Sequence, residues 1–298
     1  MADEHEVSVL LSGLVDAGKS TWLAALWQVF ETDGFDSALT LAAYLGDQRY
    51  IVELNRRWTR CQPFERTPIK SPGTVEVTLR DADGSEAKLE IPDLSGELFQ
   101  EHWKSRHWEP EFDRDIQAAD GLLLMASTLT KGVLMLRDLN ALTAAAGDEE
   151  DAETGEEVPD VGENGDGQEP KWDPSKSPDQ VQLVEHLQFV ALRRSGRPLP
   201  VALMLGAWDQ VRAAGLELAP EEWLAKELPL LYQYLKANRD LFPSAVYGVS
   251  AQGGDLEKDR EKLLSMAPID RLEVVEGTRS SRDLTVPLAW IVGAASDG

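Results

Sequence analysis

The chain has 298 residues, of which 42% are hydrophobic and nine are tryptophan, enough apolar surface for the core of one large domain or two small ones. Its 29 basic and 53 acidic residues give a formal net charge of −24, which repels phosphate backbones and anionic lipids and argues against nucleic-acid or membrane-surface binding. The single cysteine, Cys61, excludes a disulfide framework, a zinc cage and an iron–sulfur site within one chain.

The N-terminal sequence MADEHE is acidic and has none of the basic residues that begin a signal peptide. The apolar runs of the sequence are too short to span a bilayer. We therefore expect a cytoplasmic protein.

The first part of the chain alternates predicted strands and helices. Continuous apolar runs indicate strands that are buried on both faces, and apolar residues at helical spacing indicate amphipathic helices. The predicted elements are a strand at Val7–Leu11, a helix at Lys19–Phe30, a helical insertion at about 37–62, a hairpin of Thr74–Leu79 with Ala87–Ile91, a strand at Gly121–Ala126 and a helix at Leu134–Ala146.

The second part continues the alternation. The predicted elements are a helix that begins at Pro178, a strand at Pro200–Leu205, a helix at Pro220–Asn238, a strand at Ala245–Val249 and a short helix at Thr285–Val292. Buried strands separated by helices predict an α/β fold with a mostly parallel open sheet and helices on both faces. The hairpin adds one antiparallel edge strand. We predict a single domain over residues 6–295.

An acidic segment interrupts this pattern. Residues 148–170 contain eleven acids and no base, together with several glycines. Like-charge repulsion and the lack of apolar residues leave nothing to offset the entropy of ordering. We predict a disordered acidic insertion at about 147–176.

A glycine-rich loop follows the first strand and opens the first helix. Its sequence, GLVDAGKST, matches the phosphate-binding pattern G-x-x-x-x-G-K-[ST] in full. Backbone N–H groups of such a loop face a phosphate, its lysine reaches the β- and γ-phosphate oxygens, and its serine hydroxyl can bind Mg²⁺. The candidate nucleotide-binding residues here are Gly13, Val15, Asp16, Ala17, Gly18, Lys19, Ser20 and Thr21, with Lys19 also catalytic and Ser20 also a metal ligand.

A second motif, D-x-x-G, follows the predicted hairpin. Asp93 comes just after a strand and is placed to hold Mg²⁺, and the Gly96 backbone N–H can contact a γ-phosphate. Alone the motif is weak, but after a complete phosphate loop it is a strong signal.

Two later strand ends carry candidates for base recognition. Asp209 follows the strand at Pro200–Leu205, and its carboxylate can accept two hydrogen bonds from N1–H and the exocyclic amine of guanine, a donor pair that adenine lacks. Ser250 and Ala251 follow the next strand, where backbone N–H groups can meet the guanine O6. All these segments fall at strand carboxyl ends, where open α/β sheets bind ligands.

The order GLVDAGKST, DLSGE, GAWD and VSA resembles the G domain of the TRAFAC-class P-loop GTPases and, more narrowly, the bacterial double-GTPase (type one) families. The resemblance covers about residues 6–295. It implies a GTPase domain that binds GTP or GDP with Mg²⁺ and changes its switch loops with the γ-phosphate. It also implies a protein effector or a second GTPase as partner, in a bacterial conflict or signalling system.

The sequence departs from the family pattern at two points. The lysine that usually packs on the base is missing, and we expect Trp208 to stack there instead. Glu97 stands where Ras-like members carry the glutamine that orients water, and its charge repels the γ-phosphate, so we expect slow hydrolysis. Asp16 resembles the aspartate that helps translation factors to hold a monovalent cation, which implies K⁺ as a further ligand.

The pattern alone leaves the switch threonine open among Thr59, Thr67 and Thr74. We select Thr67 as catalytic residue and metal ligand because it precedes the hairpin by a few residues. Arg66 beside it can donate to the charge that develops on the γ-phosphate, although an ordinary surface arginine is the simpler interpretation.

Two other functions stay open. A nucleotide-binding pseudo-GTPase without turnover agrees with Glu97 and with the missing lysine. An ATP-dependent P-loop kinase or ATPase predicts an arginine-rich lid, which the sequence lacks. The aromatic and basic segment His102–Trp108 is either an effector surface or a set of anchors that pack on the core.

Overall fold

The computed structural model describes residues 7–45, 48–64, 75–84, 86–91, 102–108, 110–129 and 177–296. The predicted helix at Leu134–Ala146 and the predicted acidic insertion at 147–176 lie outside these residues.

In the described part of the chain, strands and helices alternate as the apolar patterns predict. The strands are β1 (Val7–Gly13), β2 (Thr40–Leu45), β3 (Val75–Arg80), β4 (Glu86–Ile91), β5 (Gly121–Ser127), β6 (Val201–Gly206), β7 (Ser244–Ser250), β8 (Glu273–Glu276) and β9 (Arg279–Ser281). The helices are α1 (Lys19–Glu31), α2 (Gln48–Thr59), α3 (Pro110–Ala118), α4 (Asp179–Arg193), α5 (Trp208–Ala213), α6 (Pro220–Glu227), α7 (Pro229–Ala237), α8 (Arg260–Ser265) and α9 (Val286–Ser296), with a 3-10 turn at Pro268–Arg271.

The described strands form one sheet in the order β2-β3-β4-β1-β5-β6-β7-β8-β9. The pairs from β4 through β1, β5 and β6 to β7 are parallel, which confirms the predicted mostly parallel α/β fold. The expectation of one antiparallel edge strand was too simple, because β3 is antiparallel but is covered by β2, and the hairpin β8–β9 extends the other edge.

The predicted helical insertion at 37–62 is partly a strand. Its sequence Thr-Leu-Ala-Ala-Tyr-Leu contains helix-forming residues, yet residues 40–45 pair with β3 as β2, and only α2 is helical. Pairing with an open sheet edge outweighs the weak local preference, since propensity is easily overridden by tertiary contacts.

The predicted helix Pro220–Asn238 is two helices. Leu228 follows α6 and has a non-helical backbone, with φ of −125° and ψ of 56°. Pro229 causes the break, because proline lacks an N–H donor and disfavours helical geometry in the residue before it.

Alternate residues of the central strands build two cores on opposite faces. In β5, Leu123 and Met125 belong to the core shared with α1, α2 and α9, whereas Leu122 and Leu124 belong to the core shared with α3, α4, α6 and α7. Burial on both faces leaves the carboxyl edge of the strands as the place where loops can form a site. None of the helices in the described part of the chain has the length and apolar character of a membrane span.

Candidate nucleotide-binding site

Parallel strands bring three of the four predicted segments together, at the carboxyl ends of β1, β6 and β7. Gly13 of β1 lies beside Met125 of β5, and Gly206 of β6 lies between Ser127 and Val249. A cavity of about 330 Å³ opens at this edge. Predicted site residues that line it are Asp16, Ala17, Gly18, Thr21, Asp209 and Ala251.

The glycine-rich loop has the backbone that its sequence predicts. Gly18 has φ of 97° and precedes α1, and Asp16 has φ of 58°, both in the left-handed region. No described side chain caps the N-terminus of α1. The backbone N–H groups of its first turn are therefore available to an anion, which the helix dipole also favours.

Lys19 lies over this loop. Its Nζ donates to the carbonyl oxygens of Gly13 at 2.7 Å and Leu14 at 2.6 Å. Burial lowers the pKa of the Lys19 ammonium to about 8, although the negative charge of Asp16 opposes the shift. The ammonium is thus held against the backbone of the glycine-rich loop.

Two glycines allow the strand ends to touch the loop. A Cβ at Gly206 would lie 2.7 Å from the carbonyl oxygen of Ala17, and a Cβ at Gly13 would lie 2.4 Å from that of Met125. Both obstacles are backbone atoms, so no side chain fits at either position. The loop and the tips of β5 and β6 therefore form one closely packed unit.

The two segments predicted for base recognition meet in space. Asp209, at the start of α5, accepts a hydrogen bond from Ser250 Oγ at 2.8 Å through one carboxylate oxygen, and from Gln210 Nε2 at 2.7 Å through the other. A carboxylate has about four acceptor sites, so these bonds leave capacity for two donors of a base. The structure thus brings Asp209 to the cavity that the glycine-rich loop also lines, with Ser250 directly behind it as a hydrogen-bond partner.

Trp208 does not lie where we expected it. Its side chain is 1% exposed, its ring covers Gly248 of β7, and its ring centroid is 6.2 Å from that of Trp223. It is not among the residues that line the cavity. The expectation that Trp208 stacks on a base is therefore wrong. Burial of its large ring in the core beside β7 and α6 determines the direction of the side chain.

The sequence did not point to several residues at this edge. Thr128, after β5, donates from its hydroxyl to the carbonyl oxygens of Gly206 at 2.7 Å and Ala207 at 2.9 Å, and Ala207 has a left-handed φ of 57°. The loop 252–256 also lines the cavity. A polar residue directly after a buried strand was the available signal for Thr128, and the Gln-Gly-Gly-Asp sequence was the signal for the loop.

Other predicted site residues lie outside the described residues, namely Arg66, Thr67, Asp93, Gly96 and Glu97. Of the three predicted magnesium ligands, Ser20 is the one that lies within the described residues, and it is in the first turn of α1. Val15 is half-buried in the loop.

The segment His102–Trp108 packs its aromatic rings on the core. Trp103 is buried, and Trp108 contacts Phe112, His186 and Phe189. These contacts agree with anchoring on α3 and α4 rather than with an exposed aromatic surface.

Comparison with known proteins gives a family. The sequence matches the family described as Double-GTPase 1 over residues 10–291. No curated protein matches the chain. Similar solved structures are the cytosolic domain of the T. maritima FeoB iron transporter in a GDP form, with a TM-score of 0.31, and Methanosarcina barkeri Roco2 bound to GDP, with a TM-score of 0.31. A third is sup35 in complex with GDP, with a TM-score of 0.33.

Each of the three is 14% identical to the chain, and the matches cover 87%, 87% and 84% of it. The chain spans 62%, 47% and 38% of the length of these structures. The family match covers nearly the whole chain, so the chain belongs to the Double-GTPase 1 family.

Proposed function

We propose that this chain is a molecular switch that binds GTP and GDP with Mg²⁺ and hydrolyses GTP slowly. We further propose that it signals to a protein effector or a second GTPase in a bacterial conflict or regulatory system. The observation that supports guanine recognition best is the contact of Asp209 with Ser250 at the cavity that the glycine-rich loop lines.

The residues at the cavity fit a guanine nucleotide. The uncapped N-terminus of α1 and the Lys19 ammonium supply positive charge for the phosphates. Asp209 supplies the acceptor pair that matches the two donors of guanine, and adenine offers no such pair. Mg²⁺ would bind to the Ser20 hydroxyl, with Asp93 and Thr67 as proposed partners, and would neutralise charge on the phosphates.

We propose slow turnover because residue 97 is a glutamate. Water attack on the γ-phosphorus needs positioning and charge stabilisation, which Lys19, Mg²⁺ and backbone N–H groups provide. A carboxylate at Glu97 repels the γ-phosphate. A partner that supplies the missing stabilisation would then control the lifetime of the GTP state. We also propose Asp16 as a ligand of K⁺, and a hydrolysis rate that depends on K⁺ would support this role.

The first test is the nucleotide that the protein carries through purification, identified by mass spectrometry. We expect GDP or GTP. An adenine nucleotide in its place would contradict the assignment of the base.

The second test is titration of the Asp209→Asn variant with GDP and ADP. Loss of a charged acceptor that takes two hydrogen bonds should weaken GDP binding by about 100-fold and leave ADP binding unchanged. The matched control is Asp255→Asn, which alters an acid of the same cavity whose carboxylate accepts hydrogen bonds from the backbone of Glu257 and Lys258. A wild-type preference for GDP of tenfold or less would count against the proposal.

A pseudo-GTPase that holds nucleotide without turnover is the second candidate, and Glu97 is the residue that favours it. Phosphate release in single-turnover reactions, with and without candidate partners, separates the two. Release that any partner accelerates supports the switch, and no release under either condition supports the pseudo-GTPase.

A further inference from the structure

The end of α2 packs against the loop that follows β7. We call residues 250–254, which begin at the last residue of β7, the base loop, because they include Ser250 and Ala251, the two residues predicted to meet the guanine O6. The Trp58 side chain in the last turn of α2 is 0% exposed, and its Nε1 donates to the carbonyl oxygen of Ala251 at 2.8 Å. Trp58 does not line the cavity, whereas Ala251 does.

Arg271 joins α2 to the same region from the 3-10 turn. It is buried, and its guanidinium donates to the carbonyl oxygens of Trp58 at 3.4 Å and Thr59 at 3.3 Å, and to Cys61 Sγ at 3.3 Å. Its guanidinium carbon lies 5.4 Å from the centroid of the Trp58 ring. The last carbonyls of a helix lack helical partners and carry partial negative charge, so this cation caps α2 and holds the Trp58 ring from one side.

Arg271 also supports the base loop directly. Gly253 has φ of 82°, and a Cβ there would lie 2.6 Å from the Arg271 carbonyl oxygen. The Gly253 N–H donates to Ser250 Oγ at 3.1 Å, and Ser250 Oγ donates to Asp209 at 2.8 Å. A continuous set of contacts therefore runs from α2 through Arg271 and the base loop to the acid proposed to recognise guanine.

We propose that Trp58 and Arg271 are positioning residues for base recognition, which hold the base loop in the conformation that meets a guanine. The inference rests on the proposed function and goes beyond it, because it gives α2 a role in nucleotide selectivity. A loop that is ordered before binding loses less entropy on binding than a mobile one. The contacts reach the base side of the cavity, so their loss should alter base recognition and spare the phosphate contacts.

The test is the ratio of the dissociation constants for ADP and GDP in Trp58→Phe. This change keeps an aromatic ring and removes the N–H donor to Ala251. We expect GDP binding to weaken about fivefold to tenfold, as for loss of one buried hydrogen bond, with ADP binding unchanged. Trp22→Phe is the matched control: Trp22 is equally buried in the same core, and its Nε1 has no partner among the described residues.

Arg271 gives an independent test. Arg271→Met should lower the ratio of the dissociation constants for ADP and GDP, because it removes the cation that caps α2. Arg271→Lys should restore part of that ratio. An unchanged ratio in both Trp58→Phe and Arg271→Met overturns the inference. Equal weakening of GDP and ADP also overturns it, since that result reports general destabilisation. If the wild-type protein itself binds GDP and ADP equally, the guanine-specific function fails first, and the positioning role fails with it.

Discussion

A buried histidine beside the end of β1 has a strongly lowered pKa. His186 of α4 is buried, and its Nε2 lies 3.2 Å from Ser12 Oγ, one residue before the glycine-rich loop. Burial, with a smaller contribution from His102, lowers the pKa of His186 to about 3. His186 is therefore neutral in the folded protein throughout the physiological range.

This histidine should make stability depend on pH. Below about pH 6.5 the unfolded chain takes up a proton at His186 and the folded chain does not, so the free energy of unfolding falls as the pH falls towards 3. His186→Gln should reduce that slope by up to about 1.4 kcal/mol per pH unit. The measurement is urea unfolding at several pH values between 7.5 and 5.

The exposed His107 supplies the control for this series. His107→Gln removes an imidazole from the surface rather than from the core, so it controls for the change from histidine to glutamine itself. Identical slopes in wild type and His186→Gln would show that another group causes the pH dependence.

At the scale of elements, the position of α5 depends on close packing against β7. A Cβ at Gly248 would lie 2.3 Å from the Trp208 ring, and that ring is rigid and surrounded by core residues. The strand therefore needs glycine here to let α5 approach, and this approach places Asp209 beside Ser250. The packing of Trp208 against Gly248 keeps the tryptophan ring out of the cavity and places the next residue, Asp209, at the cavity.

Gly248→Ala should therefore be destabilising. Overpacking of a close-packed core costs about 1–3 kcal/mol, and we expect a loss of that size in urea unfolding. Gly293→Ala makes the same change in α9, where no described atom outside the helix's own neighbouring backbone lies within 4 Å of the new Cβ, and should be neutral or stabilising by up to about 1 kcal/mol. Equal effects of the two variants would argue against the packing explanation.

At the scale of the whole molecule, charge is the dominant property. The formal net charge is −24, and eleven of the acids lie in residues 148–170. Like charges repel each other most at low ionic strength, where screening is weak. The anion site that we propose at the glycine-rich loop thus lies in a molecule whose net charge repels anions.

Added salt should therefore stabilise this protein. We expect the Tm to rise between about 20 mM and about 500 mM NaCl, because the Debye length shortens over this range. A variant with the acids of residues 148–170 changed to Asn and Gln should show a smaller rise in differential scanning calorimetry. A Tm that does not respond to salt in either protein would contradict this account.

Local sequence patterns were enough to predict the parallel α/β frame, the glycine-rich loop and the positions of Asp209 and Ser250 at strand ends. Each of these follows from a local pattern: an apolar run buried on both faces, a loop motif, or a polar residue just after a strand. Such patterns act over a few residues and so can be recognised without knowledge of distant contacts.

Long-range contacts, which no local pattern reveals, set the direction of Trp208, the strand β2 and the place of α2 beside the base loop. Each depends on a neighbour far away in sequence: Trp58 and Ala251 are separated by 193 residues. Residue 43 is a helix-forming alanine that becomes part of a strand because β3 offers an edge. The physical reason is that burial and sheet pairing, which act between distant segments, outweigh local preferences of a few tenths of a kcal/mol per residue.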